Sequence, residues 1–150
     1  MVTLCDGDLF LSKQPVLVCP ANAVGTLGAG LAKAFARRFE SCTGPYQRAC
    51  ARGEVTPATP FAVEHPTTTQ RVLYVPTKHH WREHSTLARV RACAEGIRLW
   101  LSRENPSGVA VPALGCGLGG LAWKDVRPLL LEVFQPCVAL VEIYGPLESE

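Results

Sequence analysis

Short apolar runs alternate with segments of helical periodicity along this chain, and that alternation limits the possible folds more than any other feature. Six runs are predicted to be strands: Val2–Cys5, Val16–Cys19, Thr59–Val63, Arg71–Val75, Gly108–Val111 and Val138–Tyr144. Four segments are predicted to be helices: Gly30–Phe39, Pro45–Arg52, Thr86–Arg103 and Lys124–Phe134. Strands separated by helices pair in parallel, because each helix carries the chain back across the sheet. We therefore predict an α/β layer fold with a largely parallel central sheet.

The central strands are apolar at every position, as in the runs VLV at 16–18, VLYV at 72–75 and VAV at 109–111. Continuous apolar strands are typical of sheets whose two faces are both covered by helices. The chain has 150 residues, enough for a single core, and it contains neither an internal repeat nor a convincing linker. We predict one domain over residues 1–150.

The third predicted helix has the clearest pattern. Its apolar residues follow helical spacing: Leu87, Val90, Ala94, Ile97 and Leu101. Ser85 precedes the helix and is predicted to cap its N-terminus through the side-chain hydroxyl.

Charge and cysteine content restrict the class of protein. The formal net charge of +2 is too small to indicate nucleic-acid binding by bulk electrostatics, so any contact with DNA or RNA is expected to be local. The seven cysteines form no CxxC pair and several lie in apolar runs, which is typical of reduced, buried thiols. The first ten residues, MVTLCDGDLF, lack the features of a signal peptide, and no apolar run has the length of a membrane span. We predict a cytoplasmic protein.

Two glycine-rich stretches each follow a predicted strand and open a predicted helix. They read NAVGTLGAGLAKAF at 22–35 and PALGCGLGGLAW at 112–123. Glycine lets backbone amides face a ligand, and a helix N-terminus adds partial positive charge, so each stretch could hold an anion. For either stretch alone, a tight strand-to-helix connection explains the glycines equally well. Both lie at the edge of the sheet where α/β folds bind ligands, and two anion cradles suit a diphosphate.

The stretch YVPTKHHWREHS at 74–85 carries a lysine where a strand is predicted to have just ended. The chain has only four lysines against eleven arginines. Arginine stays protonated in proteins, whereas a partly desolvated lysine can act as a neutral nucleophile or base. This chemistry is a reason for a lysine, rather than an arginine, at Lys78.

Four motifs together resemble the macrodomain family, whose members bind ADP-ribose. They are GDLF (7–10), CPANAVGTLGAGLAKAF (19–35), VPTKHHWREHS (75–85) and VPALGCGLGGLAWKDV (111–126). The last two look most like the DNA ADP-ribosyl glycohydrolases, the antitoxin macrodomains of DarT–DarG systems. They are also similar to the branch of terminal ADP-ribose glycohydrolases that uses a lysine. The resemblance implies three layers, α/β/α, around a mixed and largely parallel sheet.

The resemblance also implies roles for individual residues. Lys78 matches the catalytic lysine, Asn22 the asparagine that orients the distal ribose, and Asp8 the aspartate that accepts from the adenine amino group. On their own, Asp8 and Asn22 would be interpreted as turn residues that bond to nearby backbone. The full predicted ligand-binding set is Asp8, Leu9, Gly28, Gly30, Leu31, Thr77, Gly115, Cys116, Gly117, Leu118 and Gly119.

The chain departs from the lysine-dependent terminal branch at Gly119, where that branch has an aspartate. The acid–base partner of Lys78 must then come from elsewhere or from the substrate; the nearby candidates are His79, His80, Glu83 and His84. Spacing of i,i+4 between two of these histidines could suggest zinc, but no third ligand accompanies them, and we predict no metal and no cofactor. Cys116 could be a nucleophile, although packing is the preferred interpretation.

The resemblance implies a hydrolase that removes ADP-ribose from modified nucleobases in DNA, reversing the action of a toxin. The alternatives are a non-catalytic ADP-ribose reader, and a hydrolase of protein-linked ADP-ribose or ADP-ribose 1″-phosphate. Trp81 and Arg82 could contact a nucleobase and the DNA backbone, and Trp81 could equally close the core. The predicted partners are ADP-ribose, ADP-ribosylated DNA and a cognate ADP-ribosyltransferase toxin. We predict a monomer that does not bind membranes.

Overall fold

A computed structural model of the chain describes residues 1–80 and 82–146. In these ranges one sheet contains all the strands, in the order β1-β6-β5-β2-β4-β3. Only the pair formed by β3 and β4 is antiparallel. The strands are β1 Val2–Cys5, β2 Val16–Asn22, β3 Phe61–Glu64, β4 Arg71–Lys78, β5 Gly108–Val111 and β6 Leu140–Tyr144. Trp81, for which a core or nucleobase contact is predicted, lies outside the described residues.

Helices cover both faces of the sheet. They are α1 Gly30–Arg38, α2 Glu40–Ala51, α3 Leu87–Glu104 and α4 Trp123–Phe134. Successive side chains of a strand point to opposite faces. Along β2, Val16 and Val18 pack with α3 and α4, while Leu17 and Cys19 pack with α1 and α2. The predicted three-layer α/β/α fold with a mixed, largely parallel sheet is confirmed.

Two central strands extend further than predicted. β4 was expected to end at Val75, before a proline, but it continues to Lys78. Pro76 is tolerated because it lies opposite Ala21, next to a bulge at Thr77 of β4 that interrupts the regular pairing with β2. Beyond the bulge, Asn22 pairs with Lys78. The two residues predicted to be catalytic therefore face each other at the ends of neighbouring strands.

Three helix starts also differ from prediction, those of α3 and α4 by one residue each. α2 begins at Glu40 and contains Pro45, although proline usually marks a first turn. The buried face of that helix, which includes Tyr46, packs against the sheet and outweighs the unfavourable proline. At α3 the prediction that Ser85 is the cap is wrong, because Thr86 Oγ1 accepts the hydrogen bond from the Arg89 N–H at 3.1 Å. β3 and β6 begin two residues later than predicted.

The parallel strands all end at one edge of the sheet, and the loops that follow them meet there. Within the described ranges, no helix is both long and apolar enough to cross a bilayer. The two glycine-rich stretches lie together at this carboxyl edge of the sheet.

Candidate functional site

A cleft of about 960 Å³ opens at the carboxyl edge of the sheet. This volume is at the upper end of the range for small-molecule sites. The structure places all thirteen predicted site residues on the wall of this cleft: Asp8, Leu9, Asn22, Gly28, Gly30, Leu31, Thr77, Lys78, Gly115, Cys116, Gly117, Leu118 and Gly119. Their individual roles stay predictions, but their placement shows that four separate motifs form a single site.

Sequence reasoning missed one part of the wall. Tyr144, Gly145 and Pro146 follow β6 and line the same cleft. The Tyr144 hydroxyl donates to Glu142 Oε1 at 3.1 Å. Because β6 lies between β1 and β5, the rule that ligands bind beyond the carboxyl ends of parallel strands would have indicated this tyrosine.

The first glycine loop, residues 22–30, is organised by the side chain of Asn22. This side chain is buried, and its Oδ1 accepts from the N–H groups of Val24, Gly25 and Thr26 at 3.1, 2.9 and 3.2 Å. Its Nδ2 donates to the Thr26 carbonyl at 2.7 Å. The turn role that the sequence offered as an alternative for Asn22 is therefore present. One amide hydrogen remains for a ligand, since the side-chain amide carries two.

Side chains of α2 also hold the first loop. The Tyr46 hydroxyl donates to the Asn22 carbonyl at 2.7 Å, and the Tyr46 ring stacks on Tyr74 with centroids 4.3 Å apart. Burial raises the pKa of Tyr46 far above its ordinary value, so the phenol keeps its proton and remains a donor. Gln47 adds a bond from Nε2 to the Gly25 carbonyl at 3.0 Å. The backbone of the first loop is thereby held on both sides.

The start of α1 faces the cleft with its backbone amides uncapped. Ala29 is the cap residue and provides no side-chain hydrogen bond, and Gly30, Leu31 and Ala32 line the cleft. The first N–H groups of a helix have no intrahelical acceptor and lie at the positive end of its dipole. This end of the cleft is suited to an anion such as a phosphate.

The second glycine loop, residues 115–120, presents a similar set of donors. Gly117–Gly119 form one turn of 3₁₀ helix without a side-chain cap. Within the described part of the chain, the N–H groups of Gly117 and Leu118 have no hydrogen-bond acceptor. Gly117 has φ +66°, and a Cβ added there would meet nothing within 4 Å. The loop thus exposes two backbone donors to the cleft.

This second loop is supported by neighbouring segments. The Ser85 N–H donates to the Gly119 carbonyl at 3.0 Å. A Cβ added to Gly119 would lie 2.8 Å from Ser85 Oγ, and one added to Gly115 would lie 2.7 Å from Val90 Cγ2 and 2.8 Å from Leu121 Cδ1. Ser85 Oγ is itself buried without a hydrogen-bond partner among the described residues. Glycine is needed at 115 and 119 because the start of α3 leaves no room for a side chain.

Asp8 has the local bond expected of a turn residue and also faces the cleft. Its Oδ1 accepts from the Phe10 N–H at 2.9 Å and caps the short 3₁₀ turn Leu9–Leu11. The carboxylate is exposed and forms part of the cleft wall. Both interpretations of Asp8 are compatible with this position.

Lys78 is half-buried at the end of β4 and lines the cleft. None of the described carboxylates lies within ion-pairing distance of it. Among the candidate partners, Glu83 is exposed and His80 accepts from the Arg82 N–H at its Nδ1, 3.1 Å away. The Cβ of an aspartate at position 119 would lie 2.8 Å from Ser85 Oγ.

Metal and thiol chemistry receive no support from the site. Among residues 1–80 and 82–146, no group of three or more His, Cys, Asp or Glu side chains could hold a metal ion. Burial raises the pKa of Cys116 to about 11, so this thiol is protonated at neutral pH. A protonated thiol is a poor nucleophile, which agrees with the packing role preferred for Cys116.

Comparison with known proteins gives consistent matches. A family model described as Macro domain matches residues 18–130. A DNA ADP-ribosyl glycohydrolase from Mycobacterium tuberculosis is 40% identical over 153 residues, covering 97% of this chain and 42% of the relative. A DNA ADP-ribosyl transferase–DNA ADP-ribosyl glycohydrolase fusion protein from Thermosipho africanus is 30% identical, covering 99% of this chain and 42% of the relative. This chain therefore spans less than half the length of these relatives.

A solved structure matches equally well. Thermosipho africanus DarTG in complex with ADP-ribose superposes with a TM-score of 0.92 at 31% identity, covering 99% of this chain and 42% of that one. The matched region takes in both glycine loops, β4 and the start of α3.

Proposed function

The chain belongs to the macrodomain family, and on this premise we propose that it is a hydrolase that removes ADP-ribose from modified nucleobases in DNA. The observation that carries the proposal is the amine of Lys78, which pairs with no acid among the described residues, in a cleft with two backbone anion cradles. The names of relatives that are 30–40% identical support the same activity. In this proposal, the reaction reverses the modification made by an ADP-ribosyltransferase toxin.

ADP-ribose fits the cleft with its diphosphate between the two glycine loops. The uncapped amides of α1 and the donors of Gly117 and Leu118 would hold the phosphates from opposite sides. Asp8 would accept from the adenine amino group at one end. The distal ribose would lie at the other end, beside Asn22 and Lys78.

Lys78 has two possible roles in breaking the N-glycosidic bond. As a neutral amine, it attacks the anomeric carbon after ring opening, the base leaves with a proton, and water hydrolyses the resulting Schiff base to free ADP-ribose and the amine. As an ammonium, it assists departure of the base while water attacks the anomeric carbon. Both roles place the amine next to the bond that breaks.

The wider setting is part of the proposal. We infer one macrodomain over residues 1–150 that acts as a monomer in the cytoplasm, and its seven cysteines are free thiols. A cognate ADP-ribosyltransferase is the proposed partner, because one relative is a fusion of such a transferase with a glycohydrolase.

Binding is tested first, by thermal unfolding with added ligand. ADP-ribose at 100 times its Kd should stabilise the native protein by about 2.7 kcal/mol. AMP should stabilise it much less, because it has one phosphate and no distal ribose. Equal stabilisation by AMP, or none by ADP-ribose, would contradict the placement of the diphosphate.

Catalysis is tested by release of ADP-ribose from ADP-ribosylated DNA oligonucleotides. We expect Lys78→Ala to lose release while binding ADP-ribose within a few-fold of the wild type, because a catalytic group acts mainly on the transition state. Lys13→Ala is the matched control, since Lys13 is exposed before β2 at the opposite edge of the sheet. Lys78→Arg should be inactive if the amine is the nucleophile and partly active if its charge suffices. Borohydride should trap an adduct only in the first case.

Three outcomes would replace the proposal. Full activity of Lys78→Ala would assign catalysis to another residue. Binding of ADP-ribose without release from any substrate would make the protein a reader. Release only from ADP-ribosylated protein or from ADP-ribose 1″-phosphate would change the substrate class.

A further inference from the structure

The end of β4 carries an extra residue just before Lys78. Pro76 lies opposite Ala21 of β2. The next pair along the two strands is Asn22 with Lys78, so Thr77 is the extra residue of a bulge. A bulge bends its strand and is a common means of redirecting a side chain beside a functional site. The direction of the lysine therefore depends on how the bulge is held.

Helix α3 holds the backbone at the start of this bulge. The Pro76 carbonyl accepts from Arg89 Nε at 2.9 Å and from Cys93 Sγ at 3.4 Å. Burial raises the pKa of Cys93 to about 12, so its thiol keeps its proton and remains a donor. This carbonyl belongs to the peptide that joins Pro76 to Thr77. Two donors from one helix thus fix the backbone immediately before the extra residue.

Arg89 differs from its neighbours in the kind of partner that it has. It is half-buried, and its guanidinium forms no ion pair with any carboxylate in the described part of the chain. Two other arginines of α3 pair with acids near the surface: Arg91 with Glu132 at 3.1 Å, and Arg98 with Glu95 at 2.8 Å. The side chain of Arg89 instead bonds to the main chain of β4. Its contact acts on the strand that carries the lysine.

The same end of α3 also supports the second glycine loop. Val90 is the residue after Arg89, and its Cγ2 lies 2.7 Å from where a Cβ on Gly115 would be. Consecutive residues of one helix therefore contact the strand end before Lys78 and the loop that forms the second anion cradle. The separation between the amine and this cradle is set by α3.

We propose that Arg89 is a positioning residue for Lys78: its bond to the Pro76 carbonyl holds the bulge and so fixes the amine relative to the second anion cradle. The inference rests on the function proposed above, in which Lys78 acts at the anomeric carbon. Arg89 is not among the described residues that line the cleft, so it acts only through β4. Displacing a reacting group by about 1 Å can cost about 100-fold in rate.

Substitutions at position 89 separate the bond from the charge. Glutamine Nε2 is as many bonds from Cα as arginine Nε, so Arg89→Gln keeps a donor there without the charge. Methionine has the same reach without a donor. We expect Arg89→Met to slow single-turnover release of ADP-ribose from modified DNA oligonucleotides about 100-fold, with ADP-ribose affinity within about 3-fold of the wild type. Arg89→Gln should release ADP-ribose within about 5-fold of the wild-type rate, since the bond is kept.

A local measurement accompanies the rate. Loss of the Arg89 bond should speed amide hydrogen exchange about 10-fold at residues 77–79 and leave exchange in the central strand β5 unchanged, because only the bulge is loosened. Arg91→Met is the matched control. Arg91 lies two residues further along α3, and its bond is to an exposed glutamate of α4 rather than to β4. This control should keep both the wild-type rate and the wild-type exchange.

Several results would overturn the inference. They are a wild-type release rate in Arg89→Met, or an Arg89→Gln protein as slow as Arg89→Met. A loss of ADP-ribose affinity in step with the rate would assign Arg89 to the architecture of the cleft instead. If the wild type releases no ADP-ribose from DNA, the proposed function fails, and hydrogen exchange then decides alone. Unchanged exchange at residues 77–79 in Arg89→Met would refute the positioning role, whereas faster exchange confined to these residues would support it.

Discussion

The two glycine loops have similar sequences and lie on the same cleft, yet they are supported differently. The first loop is held by its own residue, Asn22, whose side chain makes four hydrogen bonds to the backbone of residues 24–26. The second loop has no such side chain. It rests on Ser85 and on Val90 of α3. The first loop is thus organised by a side chain of its own as well as by Tyr46 and Gln47 of α2, whereas the second relies on side chains from outside the loop.

This difference shows that a glycine can be required for unrelated reasons. Gly117 provides a positive φ and exposed donors, with open space around it. At Gly115 the space of a side chain is already occupied by Val90 and Leu121, and at Gly119 it is occupied by Ser85. A substitution therefore tests conformation in one case and packing in the other, and the predictions below separate the two.

The largest effect is expected from Asn22→Ala. It removes all four bonds and leaves the buried Gly25 N–H without its acceptor, which should lower the free energy of unfolding by about 3–4 kcal/mol. ADP-ribose affinity should fall at least about 30-fold, the equivalent of about 2 kcal/mol. Urea denaturation and calorimetry measure both. Asn22→Asp keeps the acceptor, so its stability and affinity should lie between those of the wild type and Asn22→Ala. If Asn22→Ala had the stability and affinity of the wild type, Tyr46 and Gln47 would be sufficient to hold the loop.

A comparison of Gly115→Ala with Gly117→Ala comes next. Both glycines have a positive φ, so each alanine costs about 1 kcal/mol of strain. Only Gly115→Ala also collides with Val90 and Leu121, and this overpacking should bring its total to about 2–3 kcal/mol. Denaturation midpoints of the two variants measure the difference. Equal destabilisation of the two variants would mean that α3 shifts to make room for the added methyl group. The second loop would then not be packed as tightly as described.

A smaller effect is expected where the second loop meets Ser85. Gly119→Ala should cost about 1–2 kcal/mol, because its Cβ would lie 2.8 Å from Ser85 Oγ. Ser85→Ala alone should be nearly neutral, since the hydroxyl has no partner among the described residues. The double variant should recover about 1 kcal/mol in a double-mutant cycle. Strictly additive effects would exclude direct contact between the two positions.

The smallest effect concerns the contact between the loops. Leu118 is 63% exposed, and its Cδ1 lies 3.2 Å from where a Cβ on Gly30 would be. Leu118→Ala should change the stability by no more than about 0.5 kcal/mol and weaken ADP-ribose binding by about 3–10-fold, because the loops then lose apolar cover over the ligand. Calorimetry measures the change. An unaltered affinity would mean that the loops act independently.

The sequence predicted the layers of the fold, and it placed the candidate residues at one edge of the sheet, for a physical reason. Central strands such as 72–75 are apolar at every position, and glycines follow strands at both loops, so topology alone brings Asp8, Asn22, Lys78 and Leu118 to one edge. The features that the sequence predicted correctly are those set by residues close to one another along the chain.

Features that depend on distant residues were missed. Pro76 indicated a strand end, but the bulge at Thr77 beside it lets β4 continue. Serine is a residue type typical of N-caps, but Ser85 is buried against Gly119. Thr86 caps the helix instead. The contribution of Tyr144 to the cleft depends on the position of β6 between β1 and β5, which no local pattern reports.

The pairing of β1 with β6 also sets the order in which the cleft is completed during synthesis. Val2 pairs with Val141 and Cys5 with Tyr144. In the described sheet β1 lies at the edge, beside β6, so it cannot pair until β6 has been synthesised. At about 5–20 residues per second, that wait is on the order of ten seconds. Asn22 and Lys78 can pair as soon as β4 has emerged, whereas the part of the cleft wall formed by Tyr144, Gly145 and Pro146 is added only with β6. On the ribosome, the paired ends of β2 and β4 are therefore in place well before the cleft wall that follows β6.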